Sequence, residues 1–474
     1  MRPKLLSSYL LLTLLVLGLF TVFSFNLQAS YLLSSDFSRD VDQALKITQG
    51  HLTIVGPWLN FKGLLAGPYY YYFLSIPLFL TSANPNSTLF VNALMFALSL
   101  GFFFLRMQKE TTGLKGLLAT LSLAFSFSFI LAARTPGNGF SYLPLLLLVL
   151  TDFYTTKEYS FKQVGLLGIF SGLLVNTHPI SSFVLVPIFI YFLFKNRLQF
   201  LVICLGLSLT YLPLLLFELL HNFQILKSFI TPDFNQTNSL GNFSSHQSIF
   251  LVLKLNIQTI FVFLDRQFIL PSILTIISII TFSVITFKKS QLFIIFHLLC
   301  SLVLFIVLLP KTAEFHYSLP FGLLILFLFA FVIARSSLYL LLSLIIILEI
   351  FFFPFDLFKP SARNFVTIEK RVNFILAQNI IDKEPSLNVI RFSDSNSFLP
   401  IGQEYRFFLR RAGYKVDSEY EYPKSKQLVI FAEYPQFDIT KFRTWETSQF
   451  GNDYLRNYKQ YTLEETSIYV VKKF

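Results

Sequence analysis

Charge is what this chain has least of. Only 14% of its 474 residues are Asp, Glu, Lys or Arg, against 54% apolar ones, where a soluble domain of ordinary composition carries about 25% charged residues. That scarcity excludes a disordered chain, a fibrous repeat and a conventional cytosolic enzyme. Cysteine is nearly missing as well. Cys204 and Cys300 both sit in apolar runs, with neither metal-site spacing nor a disulfide framework. There is no internal repeat of the 20–50-residue kind and no low-complexity linker.

The charge that is present is unevenly spread. Residues 356–474 hold 33 charged side chains in 119 positions, whereas the preceding 355 positions hold only 31. The chain therefore reads as a polytopic membrane domain, 1–355, followed by a soluble domain, 356–474. The net charge of +12 divides into +9 and +3 between them. Such an excess of Lys and Arg marks cytoplasmic loops, so it reads as topology and gives no sign of a nucleic-acid partner.

Met1-Arg2-Pro3-Lys4 precedes an apolar run from Leu5 to about Leu27. A signal peptide has an apolar core of about 7–15 residues, so this run reads as a retained span with its basic end inside. The polar segment 28–65 is then a large first outer loop. Further apolar runs fall at 66–81, 88–105, 117–133, 139–151, 164–177, 180–194, 199–217, 269–287, 291–309, 318–334 and 337–355. Placing the basic connectors inside puts 134–138, 178–179, 218–268, 310–317 and the C-terminal domain outside. Parity is upset at one place: an odd number of crossings is required between loop 28–65 and Arg106–Lys115, yet two runs lie there. Either 66–81 is only partly inserted or the charge rule fails locally. The run 248–264 contains Lys254, Asn256 and Gln258 and reads as interfacial. After 355, Phe365–Ile381 and Gly402–Ala412 have helical patterns, and Leu387–Phe392, Gln427–Ala432 and Ser467–Val471 read as strands of a small α/β domain.

The first 355 residues contain eleven acidic side chains, and three of them crowd into seven positions, Asp36, Asp40 and Asp42, with Arg39 among them. On a helix Asp36 and Asp40 share a face, and Arg39 reaches both. Two carboxylates beside a guanidinium suit deprotonation of an acceptor next to a phosphate leaving group. An acidic helix start, favourable to the helix dipole, fits the same residues equally well. Gly56-Pro57 and Gly67-Pro68 punctuate turns at a membrane entrance. The run Tyr69–Tyr72 suits an interfacial aromatic belt. Lys62 is a lone cation that could hold a lipid phosphate or simply be solvated. Arg134, His178, Glu218, His221, Lys311, His316 and Tyr317 gather on the same expected face, while Glu349 is the sole acidic residue deep in an expected span. A secondary transporter needs such groups near the midplane. A face-located site suits an enzyme acting on a lipid-borne substrate.

These stretches resemble the GT-C superfamily of membrane glycosyltransferases, in the branch of protein mannosyltransferases and the lipid A aminoarabinose transferase. The resemblance rests on DFSRDVDQALKITQG (36–50), GPWLNFKGLLAGPYYYYFLSIP (56–77), ARTPGN (133–138), NTHP (176–179), LPLLLFELLHNF (212–223) and KTAEFHYSLP (311–320), in the family's order. It implies a membrane all-α bundle of about 11–13 transmembrane helices with a large first extracytoplasmic loop, and a polyprenyl-phosphate-linked sugar as donor. Asp36 occupies the position of the family's essential loop acid, and Asp40 matches the second acid of a DxxRD form. Many relatives carry Asp-Glu where this chain has Asp36-Phe37, and an arginine where it has Leu220.

The resulting expectation is an integral plasma-membrane glycosyltransferase that moves a sugar, with inversion, to a hydroxyl of a lipid, protein or cell-envelope glycan at the extracytoplasmic face. Asp36 is the general base and Asp40 orients it or the acceptor. Arg39, Lys62, Arg134, His178, Glu218, His221, Lys311, His316 and Tyr317 are the candidates for holding donor phosphate and sugar. No cofactor is required on this reading, although Asp36, Asp40 and Asp42 are hard oxygen donors that a divalent metal could use. A lipid-linked sugar flippase or a non-catalytic membrane scaffold are the readings from other classes.

Overall fold

The computed structural model describes residues 3–57, 65–230, 289–308, 315–392, 401–434 and 437–473. The interfacial run 248–264 and the span at 269–287 lie outside the described residues. By contact, the chain divides into two compact units. The first is 1–27, 53–70 and 89–358, and the second is 28–52, 71–88 and 359–474.

The first unit is helical because its apolar runs leave the backbone no partner but itself. In a lipid environment every N–H and C=O must be satisfied within the segment. Among the described residues, Ser8–Ser30, Asn86–Glu110 and His316–Ala334 are each long and apolar enough to cross a membrane. Two further runs reach that length and apolarity only as bent pairs, Gly113–Ala124 with Phe127–Arg134 at 65° and Arg197–Leu209 with Leu212–Leu220 at 55°, each a broken span or a re-entrant loop. The first bend has a local cause. Ser126 leaves helical geometry, donates its hydroxyl to the Leu123 carbonyl at 2.8 Å, and caps the next helix by accepting from the Phe129 N–H. At the second bend Pro213 opens the new helix, where its missing N–H costs nothing.

The helix Phe315–Ala334 is buried on nearly all sides, with Leu319, Leu324, Phe327 and Ala334 fully enclosed. The run at 66–81 becomes the helix Tyr69–Leu80, 12 residues with Pro77 inside. At about 1.5 Å per residue it falls well short of a hydrocarbon thickness of about 30 Å.

In the second unit, a four-stranded sheet is ordered β1-β2-β4-β3, with β1 Leu387–Phe392, β2 Gln427–Ala432, β3 Tyr458–Leu463 and β4 Thr466–Lys472. β1 and β2 are parallel, and the helix Gln403–Arg411 lies between them in sequence. β4 runs antiparallel to both its neighbours. The expected strands and helices all appear, and β3 and the helix Trp445–Phe450 join them. β3 escapes the pattern because it is a polar edge strand, YKQYTL, with no buried side chain. The fold is thus a helical membrane bundle with a small C-terminal α/β domain.

Candidate active site

Loop residues Ser35–Thr48 form a helix in the second unit. Ser34 caps it: the Phe37 N–H donates to the Ser34 hydroxyl at 3.2 Å. Successive residues turn about 100°, so neighbouring acids acquire different surroundings. The Asp36 side chain is 85% exposed and that of Asp40 1%. Arg39 joins them. Its Nη1 donates to Asp36 Oδ1 at 3.2 Å, while Nε and Nη2 donate to Asp40 Oδ1 at 3.1 and 2.9 Å. The Tyr71 hydroxyl also hydrogen-bonds the Asp40 carboxylate.

Burial drives the Asp40 carboxyl upward, and the Arg39 charge and hydrogen bonds pull it back only in part. Asp36 adds a further upward push, and the balance settles at about 7. The group therefore changes charge near neutrality, in a place where, among the described residues, Arg39 and Tyr71 stabilise the anion.

Asp42 points elsewhere. It pairs with Arg410 and, at 3.6 Å, with Lys46. The three acids therefore do not converge, and a guanidinium stands between the two that are close. Among the described residues no group of three His, Cys, Asp or Glu side chains could hold a metal ion. Arg39 places positive charge between Asp36 and Asp40, which disfavours a second cation at that point.

The first unit brings together other expected residues. His178, in the connector between the helices Phe161–Thr177 and Ser182–Lys195, stacks on Tyr142 with ring centroids 4.7 Å apart and planes 6° from parallel. Its ring meets His316 edge-on at 5.5 Å and Tyr317 at 5.9 Å. Burial, aided by His316, lowers the His178 imidazole to about 3. It is neutral at physiological pH, with Nδ1 buried and unpartnered among the described residues. A neutral imidazole suits a sugar hydroxyl better than a phosphate.

The two Gly-Pro turns are docked beside this cluster. The Gly56 N–H donates to the Ala66 carbonyl at 2.8 Å, and the Gly67 N–H to the Asn176 carbonyl at 2.9 Å. Gly67 is required by contact, since a Cβ there would stand 2.3 Å from Asn176 Oδ1.

Other expected residues are committed elsewhere. Arg134 Nη1 donates to the carbonyls of Phe23 and Phe25 at 2.9 and 2.8 Å, and Nη2 to that of Leu357 at 3.0 Å. Its guanidinium lies 3.8 Å from the Phe358 ring centroid. It braces two segments distant in sequence, 23–25 and 357–358. Glu218 accepts from the N–H groups of Ile225 and Leu226, both at 2.8 Å, and so caps the helix that follows. His221 stacks on Phe217 at 4.0 Å. Lys62 and Lys311 lie outside the described residues.

Tyr71 was missed by sequence reasoning. An interfacial belt of four tyrosines is not what forms, because Tyr70 and Tyr71 are 2% and 6% exposed. The signal was available: four consecutive residues on a helix point in four directions and cannot all face one interface.

Comparison with known proteins gives structural matches only. No family model matches the chain, and no curated protein matches it. The crystal structure of ArnT from Cupriavidus metallidurans in the apo state superposes with a TM-score of 0.58 at 12% identity, over 99% of this chain and 98% of that one. The same protein bound to undecaprenyl phosphate gives 0.54 at 12% identity, over 98% and 97%. The arabinofuranosyltransferase AftD from Mycobacteria gives 0.53 at 11% identity, over 98% of this chain and 40% of that one. The fold is shared with these proteins along almost the whole chain. That is the fold the sequence resemblance implied.

Proposed function

We propose that this protein is an integral membrane glycosyltransferase that moves a sugar from a polyprenyl-phosphate donor to an acceptor hydroxyl, with inversion, at the extracytoplasmic face. The observation that carries this reading is an exposed Asp36 and a buried Asp40 held by one Arg39 on the first loop helix. The shared fold supports it, since one of the matching structures holds undecaprenyl phosphate.

Asp36 is the general base. It is the acid a substrate can reach, and it accepts the proton of the acceptor hydroxyl as that oxygen attacks the anomeric carbon. The bond from the anomeric carbon to the phosphate oxygen breaks from the opposite side, and polyprenyl phosphate departs with the bonding pair. Arg39 orients Asp36, and Asp40 orients Arg39. His178, His316 and Tyr317 bind sugar hydroxyls, while Lys62 and Lys311 are the cations proposed for the phosphate. No cofactor enters these steps. The acceptor is a hydroxyl of a lipid, a protein or a cell-envelope glycan.

The test is transfer by purified protein in liposomes supplied with a panel of polyprenyl-phosphate sugars and crude membrane acceptors, following release of polyprenyl phosphate. Wild type is expected to turn over at least one donor, and Asp36→Asn to lose about 10²–10⁴-fold in rate. A wild type inert with every donor would overturn the glycosyltransferase reading. Full activity in Asp36→Asn would remove Asp36 as base.

A further inference from the structure

The second unit contains a connection that the transfer chemistry does not use. The loop helix Ser35–Thr48 lies alongside the helix Gln403–Arg411 of the C-terminal residues, more than 350 positions later in sequence. Two polar contacts tie the two helices together, one at the start of the loop helix and one at its middle. At the start, the Ser35 hydroxyl donates to Glu404 Oε1 at 2.9 Å. Two turns on, Asp42 pairs with Arg410. Between them a chain of rings fills the seam: Phe37 lies 6.2 Å from Phe365, which lies 6.1 Å from Phe408.

The Glu404 end is built to be rigid. Glu404 is fully buried and accepts from Arg363 and Arg391, both at 2.8 Å. Burial pushes its carboxyl up, but the two arginines outweigh that and leave it below the ordinary carboxylate range. Backbone bonds extend the seam: the Leu33 N–H donates to the Arg363 carbonyl at 2.9 Å, and Asn364 Nδ2 to the Ala29 carbonyl at 2.9 Å.

Ser35 and Asp42 are seven residues apart, close to two full turns, so they lie on one stripe of the loop helix. Asp36 and Asp40 lie roughly 100–140° further round. Fixing the stripe at these two points, on either side of Asp36 and Asp40 in sequence, fixes the direction in which the two acids point.

We propose that the C-terminal α/β domain is a positioning element of the transfer site, setting the rotation of the loop helix through the Ser35–Glu404 and Asp42–Arg410 contacts. Arg410, Glu404, Asp42 and Ser35 are positioning residues: they act on the reaction only through Asp36, Arg39 and Asp40. The domain would then be needed for the rate of transfer whatever its part in recognising the acceptor.

This inference rests on the transfer reading above, so its test has a second readout that needs no turnover. Full-length Arg410→Gln and Arg410→Lys are compared with wild type and with the pair Asp42→Asn/Arg410→Gln, which restores a neutral hydrogen-bonding couple. Arg410→Gln is expected to lower kcat per folded molecule roughly 10–100-fold, the scale on which small misplacements act. The donor KM should change little, and the acid limb of the pH–rate profile should move. Arg410→Lys and the double variant should recover much of the rate. In the same samples, amide hydrogen exchange in residues 36–47 should quicken in Arg410→Gln and slow again in the double variant. Unchanged exchange in that helix overturns the proposal whether or not wild type turns over a donor. Faster exchange with unchanged kcat and pH profile also overturns it, leaving the contact purely structural. An inert wild type with the predicted exchange pattern keeps the clamp and rejects the transferase reading alone.

Discussion

Arg39 and Asp40 are neighbours in the chain, yet the arginine places two nitrogens, at 3.1 and 2.9 Å, on a single oxygen of a carboxylate that is 1% exposed. A helix does not impose this, since adjacent side chains diverge by about 100°. The guanidinium has to fold back along the helix, and in doing so it brings Nη1 to the exposed Asp36. One cation thus serves a carboxylate that solvent can reach and one that it cannot.

Asp40 should impose a pH dependence of definite sign. Its carboxyl titrates at about 7 in the folded protein, against about 3.9 in an unfolded chain. Between those values the folded state binds the extra proton, so stability falls as pH rises through about 7. Activity has the opposite slope, because the charged Arg39–Asp40 pair is complete only above that pH. Asp40→Asn should therefore flatten the acid limb of kcat/KM near pH 7. Its melting temperature relative to wild type should be more favourable at pH 8 than at pH 5. Parallel pH–rate and thermal-unfolding series check both.

Arg134 should behave as a brace. Three backbone carbonyls depend on its guanidinium, and each buried carbonyl left unmet costs about 1–3 kcal/mol. Arg134→Gln is expected to lower the melting temperature and the yield of folded protein, while the donor KM of what remains stays within about twofold. A large KM increase at unchanged stability would return Arg134 to phosphate binding. Steady-state kinetics beside a thermal melt distinguish the two.

Gly139 gives a way to perturb the histidine cluster without removing a polar group. A Cβ at this position would lie 2.9 Å from His316 Cγ, so the His316 ring or the backbone at 139 must shift. Gly139→Ala should cost about 1–3 kcal/mol in stability from overpacking and reduce kcat/KM for the sugar donor roughly tenfold. Gly137→Ala, whose Cβ would meet, among the described residues, only the Phe140 ring at 3.8 Å, is the control and should leave kcat/KM close to wild type.

Much of the architecture was legible in the sequence, and for a local reason. Apolar runs declare membrane helices because burial in lipid depends on composition and length, and β1 and β2 announce themselves as short apolar runs between polar turns. The loop helix was readable through its acidic first turn. Asp36 and Asp40 could be singled out because acids are so scarce in the first 355 residues. Tertiary structure decided what each polar group does. Whether an acid is exposed, as Asp36 is, or enclosed, as Asp40 is, depends on residues distant in sequence, such as Tyr71. The engagement of Arg134 with carbonyls at 23, 25 and 357, and of Asp42 with Arg410, joins positions that no helical or strand period connects. Periodicity fixes which face a residue occupies along its own element; long-range packing fixes what meets that face, and with it the charge, reach and partners of the site.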